Sequence, residues 1–171
     1  IRATFEIREP REGVPICGVS QHEALAFAAW AGRRLPTESE WERAAAWDPV
    51  SGMARIFPWG DDLIPPPRIN CSHRRWGVWP CPTDVEVTPR SGCTDLAGQV
   101  WEWTSSPFAP YPGFRPFPYD DYSQTWFDNH HYVLRGGSWA THEKLCRASF
   151  RNWYHPFVRE INAGIRCVRR D

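Results

Sequence analysis

The sequence predicts an α+β domain with two main helices near its start, short strands and long ordered loops. Helical periodicity is confined to the residues before Ser51, where two segments each open on a capping box. Beyond Ser51, short apolar stretches alternate with clusters of Gly, Pro, Asn and Asp, which is typical of short strands between loops. The 11 Trp, 9 Phe and 5 Tyr residues indicate a core in which large rings hold irregular segments, because a ring buries much area for little rotamer loss.

The first predicted helix begins after Ser20, whose hydroxyl can accept a backbone N–H group while Glu23 reaches back to the N-cap. Gly32 ends this helix. Its predicted apolar face consists of Ala24, Phe27, Ala28 and Ala31.

The second predicted helix follows Pro36 and opens on a capping box formed by Thr37 and Glu40. It is expected to end near Trp47, before an Asp-Pro pair. Its predicted apolar face consists of Trp41, Ala44 and Ala45.

The rest of the chain is predicted to form short strands and loops. Strands are expected at 3–7, 56–59, 85–87, 100–104, 132–135 and 165–168. Loops are expected at 65–67 and 107–118. A structureless segment as long as 107–118 is usually functional or disordered, and its aromatic content argues against disorder. We therefore expect an ordered functional loop there.

Charge and composition exclude several classes of partner. Lys+Arg and Asp+Glu are both 20, and a balanced surface gives no electrostatic footprint for nucleic acid or an anionic membrane. No apolar run approaches the ~18 residues that span a bilayer, and no signal peptide opens the chain. We expect a cytoplasmic domain whose six cysteines are mostly reduced thiols, with a disulfide left open. Because the chain opens at Ile1 without an initiator Met, we expect a piece of a longer polypeptide.

Five blocks resemble one superfamily. The run GRRLPTESEWE at 32–42 resembles the signature of formylglycine-generating enzymes and sulfatase-modifying factors. Four further blocks agree in order: FPWG at 57–60, DLAGQVWEWT at 95–104, VLRGGSW at 133–139 and AGIRC at 163–167. The resemblance covers about residues 15–168 and implies that 1–171 forms one compact domain with a C-type-lectin-like formylglycine-generating-enzyme fold.

The superfamily hosts several functions. Formylglycine-generating enzymes bind copper with two cysteines shortly after the Gly-Gly-Ser block, and here Thr141 stands in place of the first, leaving Cys146. One thiolate cannot give the two-coordinate soft site that Cu(I) favours. A copper-dependent oxidase is therefore the weaker alternative. A non-catalytic lectin-like binding module is a third.

Another branch fits more closely. The segments 110–114, 118–123, 126–128 and 149–153 resemble the final third of ergothioneine-type sulfoxide synthases and related selenoneine synthases. The resemblance implies an oxidoreductase that uses Fe(II) and O2 to join a thiol, or a selenosugar, to the imidazole of trimethylhistidine. It implies iron ligands in an amino-terminal DinB-like domain and none in this chain, which alone is expected to be inactive. His130, His131 and His155 also lack the H-x-D/E spacing of a non-haem iron site.

The resemblance assigns roles to four residues. Tyr119 corresponds to the catalytic tyrosine, although a loop tyrosine can equally serve packing. Asn152 and Trp153 correspond to the pair that binds trimethylhistidine. A quaternary ammonium cannot donate ordinary hydrogen bonds, so an indole face suits it. Tyr154 stands where enzymes that use γ-glutamylcysteine often have an acidic residue, which leaves the identity of the donor open.

A calcium site is also expected from the resemblance. Its ligands would be Asp95, the carbonyl groups of Gly98 and Val100, and Glu102. Oxygen ligands on a tight loop suit Ca²⁺. The alternative is a solvated acidic loop in which Glu102 forms a salt bridge.

Overall fold

The computed structural model describes residues 13–64, 69–72, 92–119, 121 and 124–170. The predicted strands at 3–7 and 85–87 and the predicted loop at 65–67 lie outside these ranges. The helices are α1 (Gln21–Trp30) and α2 (Glu38–Ala46). The strands are β1 (Arg33–Arg34), β2 (Trp47–Asp48), β3 (Met53–Ala54), β4 (Trp101–Pro107), β5 (Tyr132–Arg135), β6 (Asn152–Tyr154), β7 (Ala163–Gly164) and β8 (Val168–Arg169).

Both predicted helices and both capping boxes are confirmed. The predicted apolar face of α1 is partly wrong, because Phe27 is 48% exposed and Ala31 is also exposed. Its buried residues are Gln21, Ala24 and Ala28. The small alanines let α1 approach the sheet closely, and the Gln21 amide donates to the carbonyl oxygen of Thr104 at 3.0 Å. This hydrogen bond turns a polar residue inward and leaves Phe27 at the edge of the contact.

A four-stranded sheet with the order β6-β5-β4-β7 lies between the two helices. Successive side chains of a strand point to opposite faces. On one face, Trp103 and Leu134 pack with Ala24 and Ala28 of α1. On the other face, α2 contacts β4 and β5, and its own apolar cluster joins Trp41 to Leu96 and Ala148. The first face is apolar, whereas the α2 face also carries charged groups.

Two strand predictions are wrong. At 56–59 the chain forms a turn that is closed by a single bridge between Phe57 and Gly60. At 165–168 it leaves one sheet for another, because β7 pairs with β4 whereas β8 pairs with β1. The strand predicted at 132–135 is confirmed, and the one predicted at 100–104 runs instead from Trp101 to Pro107.

A close backbone crossing precedes β4. The amide of Gln99 donates to the carbonyl oxygen of Asn70 at 2.9 Å, and Gly98 has φ +73°. A Cβ atom on Gly98 would lie 2.2 Å from that oxygen, so only glycine fits here. In the described part of the chain, no helix is long and apolar enough to span a membrane.

Candidate substrate-binding site

A fully buried arginine joins α2 to the sheet. Arg135 of β5 contacts Glu38 at 3.0 Å and also Glu42 through its Nη2 atom. Its Nη1 atom donates to the carbonyl oxygens of Ala148 and Phe150, at 2.8 and 3.0 Å. A buried guanidinium must be paired, and the i, i+4 spacing of the two glutamates puts both carboxylates on one helix face. This contact fixes α2 against β5 and the chain that leads into β6.

A second arginine binds the same helix. The Nε and Nη2 atoms of Arg151 donate to the two carboxylate oxygens of Glu38 at 2.6 and 2.8 Å. Its guanidinium also lies 4.5 Å from the ring centroid of Phe108 and 4.4 Å from that of Tyr111. The Tyr111 hydroxyl accepts a hydrogen bond from Arg135 at 3.1 Å, and burial raises the pKa of this tyrosine. The start of the 107–118 loop is thereby anchored to α2.

Trp153 belongs to an aromatic cluster on the α2 side of the sheet. It is half-buried on β6, opposite Val133 of β5. Its ring stacks on Phe108 with centroids 4.1 Å apart and 7° between planes. Phe108 lies 4.9 Å from Phe127, which meets Phe114 edge-on at 5.2 Å. We call these four rings, Trp153, Phe108, Phe127 and Phe114, the Trp153 cluster. It holds both ends of the stretch that carries Tyr119.

Asn152 and Tyr154 lie on the opposite face of β6 from Trp153, because they alternate along the strand. They pair with Leu134 and Tyr132 of β5. The Asn152 side-chain oxygen accepts the backbone N–H group of Trp153 at 3.0 Å, which directs the amide nitrogen away from that bond. The structure thus makes Asn152 and Trp153 neighbours without bringing their side chains to one face.

Tyr119 lies at the surface of the domain. It is 61% exposed, and the nearby Phe117 is 84% exposed. Exposed apolar rings that lie together on one loop are typical of an interaction surface, whereas single exposed rings are common on any protein. Residues 120, 122 and 123, around this tyrosine, lie outside the described ranges.

Glu102, near the start of β4, forms a salt bridge with Arg166. The guanidinium of Arg166 donates to both oxygens of Glu102, at 2.6 and 2.7 Å, and the Trp41 indole N–H group donates to the same carboxylate at 2.6 Å. Burial raises the pKa of Asp95, which lines a cavity of about 410 Å³ with Val100, Glu102 and Arg166. Arg166 already pairs with Glu102, one of the predicted calcium ligands. A calcium ion that binds Glu102 would have to displace the Arg166 guanidinium. Calcium binding stays a prediction.

Sequence reasoning missed a contact between two histidines. The rings of His131 and His155 lie 4.0 Å apart. His131 Nδ1 lies 2.9 Å from the Asp128 carboxylate, and this hydrogen bond lowers the pKa of Asp128 to about 2. The spacing of Asp128 and His131 was a usable local signal, whereas the contact with His155 depends on tertiary structure.

The described residues do not fit an iron site. No three His, Cys, Asp or Glu side chains among them converge so that they could hold a metal ion. Cys146 is buried beside Cys71, and the hydrogen bond between the two thiols, together with burial, raises the pKa of Cys146. Cys146 is thus packed as a neutral thiol. None of the described cysteines forms a disulfide; they are Cys17, Cys71, Cys93, Cys146 and Cys167.

Comparisons with known proteins agree with this architecture. The chain is 47% identical over 156 residues to a hercynine oxygenase of Mycobacterium tuberculosis, covering 90% of this chain and 36% of that protein. It is 36% identical over 175 residues to a formylglycine-generating enzyme of Streptomyces coelicolor, covering 92% and 53%. The chain thus spans just over a third of the hercynine oxygenase. The solved structure of Treponema denticola variable protein 1 has the same fold, with a TM-score of 0.68 and 20% identity over 94% of this chain and 72% of that one.

The family model of the sulfatase-modifying factor enzyme 1-like domain matches residues 4–171. This match extends through both helices, the four-stranded sheet and the loop that carries Tyr119. The chain therefore belongs to the sulfatase-modifying factor enzyme 1-like domain family and has its formylglycine-generating-enzyme fold.

Proposed function

We propose that the chain forms the substrate-binding and catalytic-tyrosine part of an ergothioneine-type sulfoxide synthase. The full-length protein would join a thiol or selenosugar donor to the imidazole of trimethylhistidine, using O2 and Fe(II) held by a DinB-like domain. The observation that carries the proposal is the half-buried indole of Trp153 on an edge strand. The 47% identity to a hercynine oxygenase supports the choice of branch.

Trp153 suits a quaternary ammonium. The parallel stack with Phe108 fixes the plane of the indole, so a cation-binding surface would be set before substrate arrives. Arg151, whose guanidinium lies 4.5 Å from the Phe108 ring centroid, is paired with both oxygens of Glu38, which limits its repulsion of a positively charged ligand. Attraction between a desolvated cation and an indole contributes about 2 kcal/mol.

The neighbours of Trp153 would recognise other groups of the substrates. Asn152 has an amide N–H₂ group that can donate to the trimethylhistidine carboxylate. This carboxylate is bonded to the same carbon as the trimethylammonium group, and Asn152 lies on the opposite face of β6 from Trp153, so the substrate would have to lie across the outer edge of this edge strand. Tyr154 is 38% exposed and adds no negative charge. An uncharged tyrosine gives no ion pair to an ammonium-bearing donor, so a thiol or selenosugar recognised through other groups suits this position.

Tyr119 is the proposed catalytic residue. Its phenol O–H group would transfer a proton or a hydrogen atom to the oxidant, favouring C–S bond formation over oxidation of the donor alone. The exposure of Tyr119 and Phe117 supports a catalytic face that is completed by the iron-binding domain.

Replacement of Trp153 by alanine tests the binding proposal. In the full-length protein, Trp153→Ala should raise the Kd for trimethylhistidine about thirtyfold by calorimetry, because a contribution of about 2 kcal/mol is lost. Trp30→Ala removes an 82% exposed tryptophan of α1 and serves as the matched control. An unchanged Kd in Trp153→Ala would exclude the indole from substrate binding.

Replacement of Tyr119 by phenylalanine tests the catalytic role. Tyr119→Phe removes only the hydroxyl group, so product should shift from sulfoxide towards oxidised donor while trimethylhistidine still binds. Product ratios are measured by chromatography with mass detection. Tyr132→Phe, on β5, is the matched control. Identical ratios of sulfoxide to oxidised donor in the two variants would contradict the catalytic role of Tyr119.

The calcium proposal has a separate test. We expect millimolar Ca²⁺ to raise the Tm of the wild-type protein, and to raise that of Arg166→Gln further, because Arg166 otherwise holds both oxygens of Glu102. An unchanged Tm in both proteins would contradict the calcium site. Magnesium is the control ion, because Ca²⁺ tolerates more irregular ligand geometry. A rise in the wild-type Tm with Ca²⁺ alone would mean that the ion displaces the guanidinium. If Arg166→Gln does not fold, the Tm of the wild-type protein with Ca²⁺ and with Mg²⁺ is the test of the calcium site.

A further inference from the structure

We infer that Arg151 is a positioning residue that sets the orientation of Trp153 by way of Phe108. The inference rests on the proposed function of Trp153 in substrate binding and adds a residue to it. Arg151 itself need not touch the substrate. Its role would be to hold the ring against which the indole is stacked.

The chain of contacts is continuous. Glu38 fixes the guanidinium of Arg151 with two hydrogen bonds of 2.6 and 2.8 Å. The guanidinium lies 4.5 Å from the centroid of Phe108, whose ring is stacked 4.1 Å from Trp153. The orientation of α2 is therefore passed to β6 through three planar groups in contact.

Arginine is specifically suited to this place. A guanidinium is planar, so it can present an in-plane fork to a carboxylate while its face lies over aromatic rings. Arg151 contacts Phe108 and Tyr111 in this way while it binds Glu38. A lysine keeps the charge and can still pair with Glu38, but it has neither the fork nor the flat face.

Loss of the Arg151 fork should leave the fold intact. Glu38 would still be paired with Arg135, which lies 3.0 Å away and is fully buried. Arg135 also keeps its contacts with Glu42 and with the carbonyl oxygen of Ala148. The connection between α2 and β5 thus persists, and the effect of the substitution should concentrate on Phe108 and the indole.

The test is Arg151→Lys in the full-length protein. We expect the KM and the calorimetric Kd for trimethylhistidine to rise about tenfold, because a misoriented indole would lose part of its attraction for the trimethylammonium group. The kcat at saturating substrate should change by less than about threefold. The Tm should stay close to that of the control.

The matched control is Arg34→Lys. Arg34 forms the same two-bond fork with another residue of α2, Glu40, at 2.7 and 2.8 Å, but this pair is exposed. Arg34→Lys should leave both KM and Kd unchanged. If both substitutions change KM and Kd equally, Arg151 has no effect on the indole beyond that of any ion pair with α2, and the inference is overturned.

A double-mutant cycle tests the route through Phe108. In a Phe108→Leu background, Arg151→Lys should have little further effect on Kd, because the ring that transmits its orientation is gone. Full additivity would contradict the inference. If Trp153→Ala weakens binding and Arg151→Lys does not, only the inference fails. If neither the wild type nor any variant binds trimethylhistidine, the proposed function fails as well.

Discussion

The buried guanidinium of Arg135 is the constraint on which the rest of the α2 face depends. Removing one partner from a buried ion pair costs about 3–5 kcal/mol, so α2 must present Glu38 and Glu42 at this point of β5. Glu102 lies directly opposite Arg135 in the sheet and is paired with Arg166. Two charge networks therefore lie side by side under one helix. The i, i+4 spacing of Glu38 and Glu42 is therefore required by packing against β5.

Local rules predict the parts of the fold that local interactions determine. Both capping boxes satisfy helix ends within four residues, and both were read from the sequence. Phe27 could not be placed in this way, because the face of α1 that is buried depends on long-range contacts such as the hydrogen bond between Gln21 and Thr104. The apolar residues in the run 165–168 are compatible with a strand and with a connection between two sheets. Only the long-range pairing of β7 with β4 and of β8 with β1 shows that the run is a connection.

The candidate site was predicted by resemblance rather than by pattern. Trp153 lies on a three-residue strand, which is too short for alternation to be visible in the sequence. Its opposite orientation to Asn152 therefore emerged only with the sheet. The stack on Phe108 joins residues 45 positions apart, and no local signal marks it.

In the proposed enzyme, this domain would supply a rigid binding surface, and the full-length protein would complete the iron chemistry in its DinB-like domain. The most direct test is a crystal structure of the full-length protein with trimethylhistidine. The account predicts the quaternary nitrogen within about 6 Å of the Trp153 ring centroid, with the Phe108 stack retained. A substrate held in another place, such as the cavity between Asp95 and Arg166, would contradict it.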